Sequence, residues 1–209
     1  RDLKEKYSFL DMCRTPELAT EVTLQPLDVL GVDAAIIFAD ILLPLVPMGL
    51  DLVFKENEGP VIRNPVRHED DVNRLRIVDG EVFDFSREAI SLALKQLDER
   101  VPLIGFAGAP FTLASYAIEG GGSRSYIKTK RFMFSQPNDW HALLNKFSQV
   151  VTDYLLVQIH AGAQAIQIFD SWVGCLSPSD YEVYALPYVK NIIDRLKPEG
   201  VPVIYFGTG

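Results

Sequence analysis

Cysteine is nearly missing from this chain. The two present in 209 residues, Cys13 and Cys175, are too few for a disulfide framework or a thiolate metal cluster, and no CxxC, HxH or HxxxH spacing occurs. A reducing compartment follows as the default. Histidine is scarce too: His68, His141 and His160 are the only three, and none follows a strand-like run. Basic charge is outnumbered, 20 Lys and Arg against 28 Asp and Glu, for a net charge of −8. A field of that sign repels nucleic acid and anionic lipid, though a few local arginines can still hold a small anion. No uninterrupted apolar run reaches the ~18 residues a membrane helix needs. The longest, Ile41–Leu50, is broken by Pro44 and Pro47, and no secretory leader is read in the first residues. Neither GxGxxG nor GxxxxGK[ST] is present, which counts against the dinucleotide and P-loop versions of an open α/β sheet.

What is present is globular: 48% hydrophobic and 23% charged residues, in a length that suits one domain or slightly more. Thr15-Pro16 opens a helix expected to reach Leu30, where Gly31 stops it. Val32–Asp40 is a short apolar run, expected as a strand buried on both faces. The stretch from Leu52 to Pro65, with Asn57, Gly59 and Pro60, suggests an extended excursion or hairpin. Helices are expected over His68–Leu75, over Phe85–Arg100, from Pro110 through Tyr116 to Glu119, from an Asn138 cap to His160, and from Ser177 to Lys197. Further strands are expected at Val101–Ala107, Ala163–Phe169 and Val201–Phe206. Gly120-Gly121-Gly122 suggests a flexible loop. The cations from Arg124 to Arg131 are either a partner surface or a solvated helix face. This alternation demands parallel strands with crossover helices, met by an open doubly wound sheet or by a (β/α)8 barrel. Polar residues gather after each strand (Asp40; Gly108-Ala109-Pro110; Asp170-Ser171), and a barrel builds its active site there. The barrel is therefore favoured, with residues 1–209 forming a partial single barrel domain.

Asp40 closes an apolar strand. A carboxylate there either holds N–H groups and stabilises a developing cation, or caps the next segment. Tyr116 either lends a hydroxyl to the barrel mouth or is an ordinary buried tyrosine with a partner. Ser171 lacks a GxSxG setting and a paired histidine, so hydrogen bonding suits it better than nucleophilic attack. Gly108 either allows close backbone approach to a large flat ligand or forms a turn.

The segments DAAIIFADILLPLVPMG (Asp33–Gly49), GFAGAPFTLASYAIEGGGS (Gly105–Ser123) and IQIFDSWVGCLSP (Ile166–Pro178), extended by TLQPLDVLGVDAA (Thr23–Ala35), resemble the uroporphyrinogen decarboxylase family in order and in register. The resemblance implies a (β/α)8 barrel working as a homodimer in the cytoplasm, or in a plastid behind a transit segment. It implies cofactor-independent removal of the acetate carboxyl groups of uroporphyrinogen III to give coproporphyrinogen III, with no metal, nucleic acid or membrane involved. By the same resemblance Asp40 binds the central pyrrole N–H groups, Tyr116 and Ser171 are polar substrate contacts, and Phe38, Phe106, Gly108 and Phe169 form the cleft, with Ile36 and Ile41 beside Asp40.

Two departures stand out. The family's arginine motif of the form RQAGRY belongs just before Arg1, and its last barrel strands, with a further histidine, belong beyond Gly209. The nearest rival is the zinc-dependent corrinoid methyltransferases, which share the barrel and place a His-x-Cys pair near the position that reads Tyr205-Phe206-Gly207-Thr208-Gly209 here. Other rivals are a non-catalytic tetrapyrrole binder and an unrelated barrel lyase. The 209 residues alone are expected to be inactive and poorly folded; turnover and a cooperative melt from the isolated chain would overturn that expectation.

Overall fold

The computed structural model describes residues 2–55 and 59–208. Arg1, Asn57 and Gly209 lie outside them. Helices α1 (Asp2–Lys6), α2 (Phe9–Arg14) and α3 (Pro16–Leu30) lead into strand β1 (Ala35–Ile36). The hairpin β2 (Leu52–Lys55) and β3 (Gly59–Ile62) follows, then α4 (Glu69–Arg74), α5 (Asp84–Leu97) and β4 (Leu103–Gly108). Next come α6 (Pro110–Glu119), α7 (Ile127–Ser135), α8 (Pro137–His160), β5 (Ala165–Asp170), α9 (Pro178–Tyr184), α10 (Leu186–Leu196) and β6 (Val203–Gly207).

Among the described residues the main sheet is parallel, in the order β1-β4-β5-β6. Each strand joins on the side of the one before it. A doubly wound sheet reverses direction at a switch point, and this order does not. The outer helices follow the same progression, α3 against α5, α5 against α8, α8 against α10. Helices therefore cover one face of the sheet. On the other face Ile36 is 47% exposed and Ile204 and Phe206 are each 43% exposed. This is an open arc of four strands, half the complement of a (β/α)8 barrel, with its concave side uncovered.

Local chemistry explains most element ends. Pro16 occupies the first turn of α3 and Gly31 takes the left-handed conformation (φ 64°) that terminates it. Ser177 caps α9 by accepting from the Asp180 N–H at 3.1 Å. Other ends differ from the sequence reading. Helix α8 starts at Pro137 with Gln136 as its cap, so Asn138 lies inside it. The segment from Ser177 to Lys197 is two helices broken at Ala185, because Pro187 opens a new first turn. The Gly120–Gly122 loop is held to the hairpin: Ile62 N–H donates to Gly120 O at 2.9 Å, and Val61 bridges Gly121. In the basic segment, Lys130 Nζ turns inward to Cys175 O at 2.6 Å rather than to solvent.

The largest difference concerns β1. The expected strand from Val32 to Asp40, buried on both faces, pairs with β4 only at Ala35 and Ile36, and Ile36 is exposed. The last ladder bond runs from Ile37 N–H to Ile104 O at 3.0 Å. Beyond it β1 peels away. Phe38 N–H donates instead to Thr23 Oγ1 of α3 at 2.8 Å. The Phe106 backbone, left without a partner on the β1 side, is met by the side-chain amide of Gln158 from α8: its N–H donates to Oε1 at 2.8 Å and its C=O accepts from Nε2 at 2.9 Å. Gln158 is fully buried and imitates one rung of the missing ladder. Gly105 makes room for it, since a Cβ at that position would lie 2.4 Å from Oε1.

Gln158→Leu in the full-length protein would orphan two buried backbone groups, each worth ~1–3 kcal/mol, so a loss of about 2–6 kcal/mol is expected in urea unfolding. Gly105→Ala should weaken the same contact by steric displacement.

Candidate active site

The carboxyl ends of the strands bring the expected residues to one edge of the arc. By the pairing register, Ile36, Ile104, Phe106, Gly108, Gln167, Phe169, Ile204 and Phe206 share the concave face, because β4 Phe106 lies opposite β5 Gln167, Gly108 opposite Phe169, and Phe169 opposite β6 Phe206. Phe106 and Phe169 meet edge to face with centroids 5.5 Å apart, and Phe169 meets Phe206 at 5.8 Å. Phe38 meets Phe9 of α2 at 5.7 Å. Phe38, Ile41 and Phe169 pack with buried Phe106 in one apolar cluster. Gly108 permits a close approach: a Cβ there would stand 2.7 Å from Leu113 Cδ2 and 3.1 Å from Ile41 Cβ.

Asp40 stands at the rim of this floor, half-buried. The Leu42 N–H donates to its Oδ1 at 2.8 Å, and no cation pairs with it among the described residues. Burial raises its pKa, against the smaller opposing effect of the Leu42 hydrogen bond. Oδ2 has no hydrogen-bond partner among the described residues and is left to accept from a ligand. The Asp40 charge reaches Tyr116: the phenol pKa is pushed up to about 12 by burial first, then by Asp40 and Tyr126, so its O–H stays protonated as a donor. Tyr116 projects from α6 and stacks on Trp172 at 3.8 Å with planes 26° apart; Tyr126 also meets Trp172, tilted by 56° with centroids 5.2 Å apart.

The structure thus gathers Asp40, Tyr116, Phe38, Ile41, Phe106, Gly108 and Phe169. Ile36 shares the face but sits farther down β1, outside the cluster. Ser171 directly follows β5; its carbonyl accepts from Thr208 Oγ1 at 2.7 Å, while its hydroxyl makes no hydrogen bond with a described residue. Sequence reasoning missed Trp172 and Tyr126 as partners of Tyr116. It read Phe206 only as a strand residue, although its alternation with Tyr205 carries the signal that it faces Phe169. The histidines lie away from this edge. His68 caps α4, His141 Nδ1 bonds the Tyr188 hydroxyl, and His160 pairs with Glu199 at 3.0 Å. No described helix is long and apolar enough to cross a membrane.

An apolar, aromatic sheet face at the carboxyl ends of parallel strands, with a partly buried carboxylate on its rim, lies where a (β/α)8 enzyme builds its active site. The family model for uroporphyrinogen decarboxylase (URO-D) matches residues 1–209. A uroporphyrinogen decarboxylase of Carboxydothermus hydrogenoformans is 58% identical over 208 residues, covering 99% of this chain and 59% of that protein. Another, from Chloroflexus aurantiacus, is 54% identical over 213 residues, covering 100% and 60%. The chain belongs to the uroporphyrinogen decarboxylase family and spans about three fifths of the length of these relatives. Among solved structures, a methyltransferase from Methanosarcina mazei superposes with a TM-score of 0.71 at 16% identity, over 95% of this chain and 58% of that one. That likeness is one of fold.

Because the native pKa of Asp40 lies above its unfolded value of ~3.9, the folded state retains a proton that the unfolded chain has released. Stability contributed at this site therefore falls as pH rises from the unfolded to the folded pKa, and above that window the buried anion is a standing cost. Asp40→Asn keeps an oxygen for Leu42 and removes the charge. It is expected to melt at or above the parent temperature at pH 7, with the advantage shrinking toward pH ~4; a lower melting temperature at pH 7 would contradict this account.

Proposed function

We propose that the full-length protein carrying this chain decarboxylates the acetate side chains of uroporphyrinogen III, yielding coproporphyrinogen III without a cofactor. The observation that carries the reading is Asp40: a carboxylate with one oxygen held by a backbone N–H and the other without a partner among the described residues, beside a floor of Phe38, Phe106 and Phe169. Family membership supports the substrate class. A porphyrinogen is a large, non-planar macrocycle with inward-facing pyrrole N–H donors. One carboxylate at its centre can accept from several of them while the aromatic floor takes the apolar ring edges.

The chemistry needs an electron sink. A proton added to the ring carbon beside the acetate-bearing carbon makes that pyrrole cationic. The bond to the carboxyl carbon then breaks, its electron pair enters the ring, and CO2 leaves. The exocyclic methylene takes a proton to become methyl, and the ring carbon returns the one it gained. Overall, hydrogen replaces the carboxyl group. Asp40 favours the cationic state over the neutral one, which lowers the barrier rather than merely tightening binding. Its desolvated setting enlarges the effect. Tyr116 supplies a neutral O–H donor and Ser171 a second hydroxyl to polar groups of the substrate; Ile36 and Ile41 complete the apolar wall. We assign the single barrel unit, the homodimer and the cytoplasmic setting on the family resemblance alone.

An anaerobic assay of the full-length protein with uroporphyrinogen III should give a product ladder from the octacarboxylate to the tetracarboxylate. Asp40→Asn should lower kcat by at least about a hundredfold, the scale of losing a preorganised electrostatic group. Tyr116→Phe should cost about tenfold in kcat/KM, as expected for one lost hydrogen bond. Tight porphyrin binding without CO2 release would instead mark a tetrapyrrole carrier.

A further inference from the structure

A second carboxylate ends β5. Asp170 follows Phe169 and so points to the opposite, helix-covered face, where it is fully buried. No cation pairs with it among the described residues, and two chains of hydroxyl donors converge on it. On one side the Trp172 N–H donates to Thr112 Oγ1 at 3.2 Å, and the Thr112 hydroxyl donates to Asp170 Oδ1 at 2.8 Å. On the other, the Tyr181 hydroxyl donates to that of Tyr205 at 3.4 Å, and Tyr205 donates to Oδ2 at 2.8 Å. Each hydroxyl has one proton to give. Because Thr112 and Tyr205 already accept from behind, both direct theirs at Asp170, which is therefore required as a pure acceptor at both oxygens. Burial raises the Asp170 pKa while Thr112 and Tyr205 oppose it. Thr112 also lies in the first turn of α6, where the helix dipole favours a negative neighbour.

Thr112 and Tyr116 are one helical turn apart on α6 and face the same way. Both grip one residue, since Thr112 holds the Trp172 backbone and Tyr116 stacks on the Trp172 indole. We propose that Asp170 is a positioning residue for the cleft, locking Thr112 so that Trp172 fixes the plane and depth of the Tyr116 ring. Tyr205 anchors the same carboxylate to β6. A carboxylate with no route to the substrate thereby sets where a cleft hydroxyl sits. The catalytic half of this inference rests on the decarboxylase reading; the geometric half does not.

The test uses the full-length protein. Thr112→Val preserves shape and cuts the link; Thr112→Ser keeps it. Near-ultraviolet circular dichroism reads the Tyr116–Trp172 stack, with Trp172→Phe identifying its band. Thr112→Val should diminish that band and lower kcat about tenfold with KM changed by less than about twofold, and Thr112→Ser should restore both. In a Tyr116→Phe background, Thr112→Val should cost no further kcat, because the hydroxyl it places is already gone. Tyr205→Phe, milder than Asp170→Asn, should shift the band in the same direction. An unchanged band, or a kcat loss that adds in full to that of Tyr116→Phe, would overturn the proposal. If the parent releases no CO2, the decarboxylase reading fails separately and the dichroism still decides the positioning role.

Discussion

The amide clasp between Gln158 and the Phe106 backbone is the contact on which the geometry of this edge depends. A carboxylate can enter the cleft from β1 only if the strand leaves its neighbour before it ends, and leaving exposes backbone groups that a protein interior does not tolerate. Gln158 answers from a helix, giving one donor and one acceptor at the spacing a strand would have offered. On the other side of the gap Thr23 accepts from the Phe38 N–H. The departure of the chain after Ile37 from β4 is thus supported by two side chains of the outer helices, Gln158 of α8 and Thr23 of α3.

Two acidic groups divide the work. Asp40 has one oxygen tied to a backbone N–H and the other without a hydrogen-bond partner among the described residues, as the proposed binding of substrate N–H groups requires. Asp170 has both oxygens bound within the protein and lies on the far side of the sheet. Burial raises both pKa values, yet of the two only Asp40 keeps an oxygen without a hydrogen-bond partner among the described residues, which is what its proposed role requires and what an anchoring group would not show.

Features set by neighbours in the chain were legible. Thr15-Pro16 and Gly31 bound α3, and the Gly-containing turn residues marked the hairpin. Features set at a distance were not. The shortening of β1 is decided by a glutamine on α8, far along the sequence and silent in any local pattern. The division into α9 and α10 was signalled by Pro187, but the amphipathic run on either side of it masked the break. The candidate site was legible through long motif resemblance rather than through spacing: nothing local says that the Asp40 charge reaches Tyr116. Asp170 and Ser171 looked like one polar pair after a strand. Only the register, which turns Phe169 inward, separates Asp170 from the cleft.

The strand order also bears on how the chain comes into being. After β1, which is joined by β4, each strand of the arc pairs with one already synthesised. As the polypeptide leaves the ribosome, every crossover can close on an existing template, so ordering entropy is met in instalments instead of in one long-range search. The cost is temporal exposure. Until the concave side is covered, Ile36, Ile204 and Phe206 offer nascent chains a greasy hollow, and chaperone dependence during synthesis is the natural counterpart of a fold that grows from one edge.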